Sequence, residues 1–263
     1  VSTSLLDKRE ERIRRMFDNI APTYDFLNHV LSFNIDHYWR WRTTRMVPPL
    51  MPTQGIPAPI LDLCTGTGDL ALAYDRAAKG KVPIIGADFS SAMLARAETK
   101  VQKIRASQRI QLLEADAQQL PFPDNHFQIV TCAFGLRNVT DTDRGLAEMA
   151  RVVQPGGRVA ILEFSKPSGS IFGKLYRYYF RYLLPLVGQL ISRSKDNAYR
   201  YLPSSVQEFD NGAALARRME KQGLTQVSWH PLTFGIATLY VGTKLHEPDA
   251  KTVARTTDGP CLG

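Results

Sequence analysis

Asp62 and Asp69 bracket a short turn, Cys64-Thr65-Gly66-Thr67-Gly68, that follows the apolar run Pro59-Ile60-Leu61. Glycines at Gly66 and Gly68 let the backbone turn tightly and come close to a ligand. Asp88 ends another apolar run twenty residues beyond Gly68. A carboxylate at that place can accept hydrogen bonds from two ribose hydroxyls. Two kinds of cofactor use this layout, a nicotinamide or flavin dinucleotide and S-adenosylmethionine. A dinucleotide site needs a third glycine, in the pattern G-x-G-x-x-G, but the third place here holds Ala71. Carboxylates at Asp62 and Asp69 repel a pyrophosphate and favour a cofactor carrying a sulfonium and an ammonium. The charge pattern therefore favours S-adenosylmethionine. Asp69 also reads as a helix-start acid that satisfies free N–H groups. Asp62 interrupts an apolar strand and has no such ready structural reading.

Two further sets of groups reach the same place. After a third apolar run come Asp116 and Ala117. The Asp116 carboxylate can accept from an adenine amino group, the Ala117 N–H can donate to a ring nitrogen, and Leu120, Pro121 and Phe122 offer apolar packing. A fourth run ends in Cys132-Ala133 and continues as Phe134-Gly135-Leu136-Arg137-Asn138-Val139.

These groups meet only if parallel strands carry them to one edge. The hydrophobic pattern predicts strands at 59–64, 82–88, 110–115, 127–133 and 158–164, with helices at 69–79, 90–106 and 141–153 between them. Ser90 or Ser91 is available as a cap, and Thr140 to Asp143 resembles a capping box. Gln154-Pro155-Gly156-Gly157 reads as a turn. A helix is predicted over 205–223, opened by Ser205 with Glu208, then two strands at 225–231 and 235–242 forming an antiparallel pair. Such alternation predicts an α/β fold, a doubly wound, mostly parallel sheet covered on both faces.

Ahead of it, 7–20 is a charged amphipathic segment. Residues 26–47 read as one element dense in aromatics and polar donors, and 48–59 as a proline-rich linker. The expected organisation is an N-terminal helical lid over 1–55, a main domain over 56–245 with a helical insertion at about 166–204, and a polar tail over 246–263.

The chain has 263 residues, 33 Lys plus Arg against 25 Asp plus Glu, and a net charge of +8. A hydrophobic content of 44% excludes general disorder. Three cysteines, without a CxxC, exclude a disulfide scaffold and zinc-finger spacing and fit a reducing compartment. No metal constellation is expected. The charged start lacks an apolar signal core. Residues 171–191 are apolar and aromatic but are interrupted by Lys174, Arg177 and Arg181. A spanning helix needs about 20 mostly apolar residues, so this segment reads as an interfacial or lid helix.

Asp62 to Asp69, Gly86-Ala87-Asp88, 115–122, Phe134 to Val139, Pro155-Gly156-Gly157, Leu162 to Pro167 and the opening Met16 to Asp25 with Asn28 resemble the class I methyltransferases that act on ubiquinone and menaquinone precursors. The resemblance runs from about residue 8 to residue 244. It implies a Rossmann-like fold and C-methylation of a prenylated quinol ring, with 2-demethylmenaquinol as the expected substrate and a benzoquinol, or both, as the alternative. Family cofactor contacts fall on Thr67, Asp88, Asp116 and Ala117. A further contact, commonly serine, falls on Ala133, where only the backbone carries over. Cys64 and Thr65 stand where glycines are frequent.

Arg137, Asn138, Tyr24 and Asp25 are the polar groups expected near the ring. Arg137 is expected to stabilise a phenolate, Asn138 to orient the other oxygen, and Tyr24 to close the pocket or bind the cofactor carboxylate. Asp25 reads equally as a salt bridge of the lid. His29 and His37 are candidate bases. A binding partner without catalysis, or another small-molecule methyltransferase, are the competing readings. No D/N-P-P-Y/F run follows the fourth strand, which argues against a nucleic-acid enzyme. An anionic membrane surface and a second copy of the chain are further candidate partners. The expected location is cytoplasmic, with peripheral contact on the inner face of the cytoplasmic membrane.

Overall fold

The computed structural model describes residues 10–52, 54–167 and 198–245. Five parallel strands form most of one sheet: β1 (Ile60–Leu63), β2 (Ile84–Asp88), β3 (Ile110–Glu114), β4 (Phe127–Ala133) and β5 (Val153–Phe164). With β6 (Leu224–Leu232) and β7 (Ala237–Lys244) the order is β3-β2-β1-β4-β5-β7-β6, and β7 runs antiparallel to both of its neighbours. The chain winds outward from β1 in one direction and from β4 in the other. The crevice between them lies at the switch point of the sheet, where open α/β folds bind ligands.

Helices cover both faces. On one face α3 (Ile35–Met46), α4 (Asp69–Ala77) and α5 (Ser91–Lys103) bury Trp39, Leu70, Tyr74 and Val101 against Ile60, Ile84 and Ile129. On the other, α6 (Thr142–Val152) and α8 (Ala213–Lys221) bury Leu146, Met149, Leu215 and Met219 against Leu61, Val130 and Ile161. A separate apolar cluster joins Ile13, Met16 and Ile20 of α1 (Glu10–Ile20) to Met93 of α5 and Tyr201 of α7 (Ala198–Glu208). The spacing of three and four along 13–20 thus becomes one buried stripe.

The structure corrects several local expectations. Residues 26–47 form two helices, α2 (Tyr24–Leu31) and α3, because Phe33 and Asn34 take left-handed φ values of 53° and 59° between them. Residues 205–223 also divide, into α7 and α8. Gly212, with φ +54°, turns the chain there and donates its N–H to the Tyr240 hydroxyl at 2.7 Å. Ser205 therefore lies inside α7, its hydroxyl bonded back to the Leu202 carbonyl, and is no cap. At α6 the cap is Asp141, which accepts from the Arg144 N–H, rather than Thr140. The turn at 154–157 is a bulge within β5. Pairing shifts between Phe127 opposite Val153 and Ile129 opposite Arg158, and a Cβ on Gly157 would meet the Gln154 and Gln128 carbonyls at 2.8 and 2.9 Å. Ser90 caps α5 as expected. Most of the insertion anticipated at 166–204, and the tail over 246–263, lie outside the described residues. Among the described residues no helix is long and apolar enough to cross a membrane.

Candidate active site

The carboxyl ends of β1, β2 and β4, with the chain just beyond β3, line a cavity that is partly open to solvent. Its walls include Leu63, Cys64 and Gly66 from the first turn, Asp88 and Phe89 from the second, Asp116 and Ala117 from the third, and Ala133, Phe134 and Asn138 from the fourth. Ile13 and Phe17 of α1 and Tyr24 of α2 complete it. A smaller chamber adjoins it, lined by Tyr24, Arg40, Asp62, Gly66, Thr67, Asp69, Ala133 and Phe134 among others.

Asp62 does two things at once. Its Oδ2 accepts from the Thr65 hydroxyl at 2.6 Å and from the Ala71 N–H at 3.0 Å. Gly68 at the N-cap of α4 has no side chain to offer, so Asp62 reaches across from the strand to cap the helix. The sequence reading missed this structural role, because a cap nine residues away leaves no local signal. The other oxygen, Oδ1, is buried without a partner. Burial pushes the Asp62 carboxyl up to about 7, against the pull of the Thr65 and Ala71 bonds and of Arg40.

Asp88 accepts from the Gly66 N–H at 2.8 Å and the Ser90 N–H at 2.9 Å, which ties the glycine turn to the end of β2. Burial raises its carboxyl to about 6. Gly66 has φ +56°, and a Cβ there would meet nothing within 4 Å, so its open side faces free space. Gly68 has φ +84°, and a Cβ there would stand 3.2 Å from the Ala97 Cβ on α5. Asp116 accepts from the Gln118 N–H at 2.9 Å.

Thr67 and Asp25 belong to a latch rather than to the larger cavity. The Thr67 hydroxyl donates to Asp25 at 2.5 Å, and Lys100 of α5 lies 2.8 Å from Asp25, 2.6 Å from Asp69 and 3.0 Å from Thr67. Burial works against the charge of Asp69, but Arg40 and Lys100 outweigh it and hold that carboxyl below its ordinary range. Tyr24 lines both chambers, and burial raises its hydroxyl. Asn138 lines the larger one, with its Oδ1 buried and unpaired.

Arg137 is not among the lining residues. Its guanidinium is paired with the buried Glu163 at 2.7 Å, donates to the Phe134 carbonyl and lies over the Phe164 ring. The structure thus turns it toward β5. His29 and His37 do not line the cavity either. They stack at 4.4 Å, and with Asp36 they bring three ligand-type atoms within 4.8 Å of one another. Asp36 already bonds Arg40, His29 and Ser32, so its carboxylate is engaged within the protein.

The model of the ubiE/COQ5 methyltransferase family matches residues 5–244. The chain belongs to that family. A Geobacter sulfurreducens relative named ubiquinone/menaquinone biosynthesis C-methyltransferase UbiE is 44% identical, over 91% of each chain. Relatives named demethylmenaquinone methyltransferase are 45% identical in Thermus thermophilus, over 87% of this chain and all of that one, and 40% identical in Bacteroides fragilis, over 90% and 94%. Among solved structures, a Thermotoga maritima S-adenosylmethionine-dependent methyltransferase superposes with a TM-score of 0.60 at 18% identity, over 88% of this chain and 99% of that one. Haemonchus contortus phosphoethanolamine N-methyltransferase 2 superposes with 0.57 at 16%, over 79% and 52%. These two share the fold.

The residues of this methyltransferase fit S-adenosylmethionine on the structure's own terms. An unpaired buried carboxylate oxygen at Asp62 and the open side of Gly66 suit a cationic end. Asp88 and Asp116, at the ends of neighbouring strands, suit a nucleoside. The sequence reading missed Arg40, Lys100 and Glu163 as site residues. Arg40 had a signal in its i, i+4 spacing from Asp36, and Glu163 in being an acid inside an apolar strand. Lys100 had none.

Proposed function

We propose that this chain transfers a methyl group from S-adenosylmethionine to the ring carbon of 2-demethylmenaquinol, giving menaquinol, S-adenosylhomocysteine and the proton lost from that carbon. The observation that carries the reading is the convergence of Asp88, Asp116 and Asn138 on one cavity that Tyr24 also lines, with Asp62 in the chamber beside it. Bound S-adenosylmethionine supplies the methyl group on a sulfonium, as an electrophile for an electron-rich quinol carbon. Asp88 accepts from the ribose hydroxyls, Asp116 and the Ala117 N–H hold the adenine, and Asp62 with the Gly66–Gly68 turn and the Ala133 backbone faces the ammonium. Thr67 acts through the latch to Asp25 and Lys100, which holds α2 over the turn. Asn138 offers its unpaired Oδ1 to a quinol hydroxyl. The raised Tyr24 hydroxyl stays protonated and closes the cavity against water. Arg137 is a positioning residue that holds the Phe134–Asn138 loop against Glu163. Alignment of the two reactants is what such a site contributes most.

The relatives named for demethylmenaquinone support the naphthoquinol. The relatives named for both quinones favour a second reading, in which a benzoquinol is also accepted. Purified protein incubated with labelled S-adenosylmethionine and chemically reduced substrates separates them. Methylation of the naphthoquinol alone is expected, and methylation of both establishes the second reading. Cofactor binding without methylation of either refutes the proposal. The basic, aromatic residues 171–195 are proposed to touch an anionic membrane surface. Equal co-sedimentation with anionic and neutral vesicles would refute that.

A further inference from the structure

We infer that Arg40 is the residue that binds the carboxylate at the amino-acid end of the cofactor. The inference rests on the reading of S-adenosylmethionine as methyl donor and concerns a side chain outside the sheet and its loops. The methionine end of that molecule carries an ammonium and a carboxylate. The smaller chamber meets the first with Asp62 and Asp69, but a carboxylate placed among carboxylates needs a cation. Among the described residues lining that chamber, Arg40 is the one cationic side chain.

Its surroundings fix it without using it up. One terminal nitrogen bonds Asp36, which is itself held at 2.8 Å by His29 and at 2.8 Å by Ser32. The other lies 3.6 Å from Asp69, close enough to attract and too far for a hydrogen bond. The guanidinium lies 5.9 Å from the centre of the Phe134 ring, and the side chain is only 11% exposed. A guanidinium has five N–H donors in a planar fork that matches a carboxylate, so donors remain. Lys100 is the alternative cation. It does not line the chamber, and it is already engaged by Asp25, Asp69 and Thr67.

The test compares two ligands by titration calorimetry. S-adenosylhomocysteine has the carboxylate, and its decarboxylated analogue, 5′-(3-aminopropylthio)adenosine, keeps the ammonium and lacks only that group. Arg40→Gln is expected to weaken S-adenosylhomocysteine by about 10- to 100-fold and the analogue by less than about threefold. Arg40→Lys keeps the charge and is expected to fall between. If Arg40→Gln does not fold, the same contrast is read from Arg40→Lys, which should still weaken S-adenosylhomocysteine more than the analogue. Equal losses for both ligands overturn the inference, because Arg40 would then only shape the chamber through Asp36 and Asp69. Unchanged affinity for S-adenosylhomocysteine overturns it too. A wild-type protein that binds neither ligand refutes the underlying cofactor reading and the inference with it.

Discussion

Asp62 and Glu163 are both acids set in apolar strands, and their surroundings give them opposite characters. Glu163 is 1% exposed, faces Arg137 at 2.7 Å and also accepts from the Phe164 N–H at 2.9 Å. Removing its charge leaves a buried guanidinium uncompensated, which costs about 3–5 kcal/mol. Urea titration of Glu163→Gln is expected to show a loss of that size, and a loss below about 1 kcal/mol would mean that water reaches Arg137. Asp62 lacks a cation at bonding distance, so burial lifts it to about 7, as it lifts Asp88 to about 6. Between the ordinary carboxylate value near 4 and these values, the folded protein holds protons that the unfolded chain has released. Stability without ligand therefore falls as pH rises through that window. Asp36, Asp69 and Glu148 are shifted downward and act at lower pH. Calorimetry from pH 5 to pH 8 is expected to show a falling melting temperature. Asp62→Asn should flatten that fall, and an unchanged slope in the variant would remove Asp62 as its source.

At the level of elements, the turn from β1 to α4 and the loop after β4 are fitted to each other. Cys64 takes φ +53°, and a Cβ on Gly135 would stand 2.3 Å from the Cys64 Cβ. Gly135 itself has φ −109°, so it is needed for space and not for backbone freedom. Gly135→Ala is expected to cost about 1–3 kcal/mol by overpacking. Adding Cys64→Gly removes both the clash and the left-handed strain of a Cβ, so chemical denaturation should show the double variant more stable than Gly135→Ala alone. Failure to recover would place the clash elsewhere. Strands and helices were legible in the sequence wherever apolar period and a breaker coincided, as at 127–133 and 60–63. The divisions at Phe33–Asn34 and near Gly212 were not. The first breaks without glycine or proline, and the second is pinned by a hydrogen bond to Tyr240 on a distant strand.

For the whole molecule, ligand binding and folding are one equilibrium. S-adenosylhomocysteine at about a hundred times its dissociation constant should stabilise the protein by about 2.7 kcal/mol, or about 5–10 °C in melting temperature for a domain of this size. A dinucleotide such as NAD is expected to leave it unchanged. A shift produced by NAD and not by S-adenosylhomocysteine would reverse the charge argument made from Asp62 and Asp69. The same scale explains why α1 and α2 belong to the site. Apolar contacts of Ile13, Met16 and Ile20 with Met93 and Tyr201, and the latch from Asp25 to Lys100, hold them against α5 and the cavity.

The alternation of strands and helices, the glycine turn, the acids at the strand ends and the family likeness can all be read along the chain. Each of these is written in local spacing, which a strand's period of two and a helix's period of 3.6 convert directly into faces and edges. Which charges meet is set by the packed fold. Arg137 faces Glu163 because β4 and β5 are neighbours in the sheet. Asp62 caps α4 because the helix begins at a glycine. Arg40 reaches the chamber because Trp39 anchors α3 against Phe134 and Phe164. Pairings of this kind depend on strand order and on helix packing across the fold, and no window of neighbouring residues contains them.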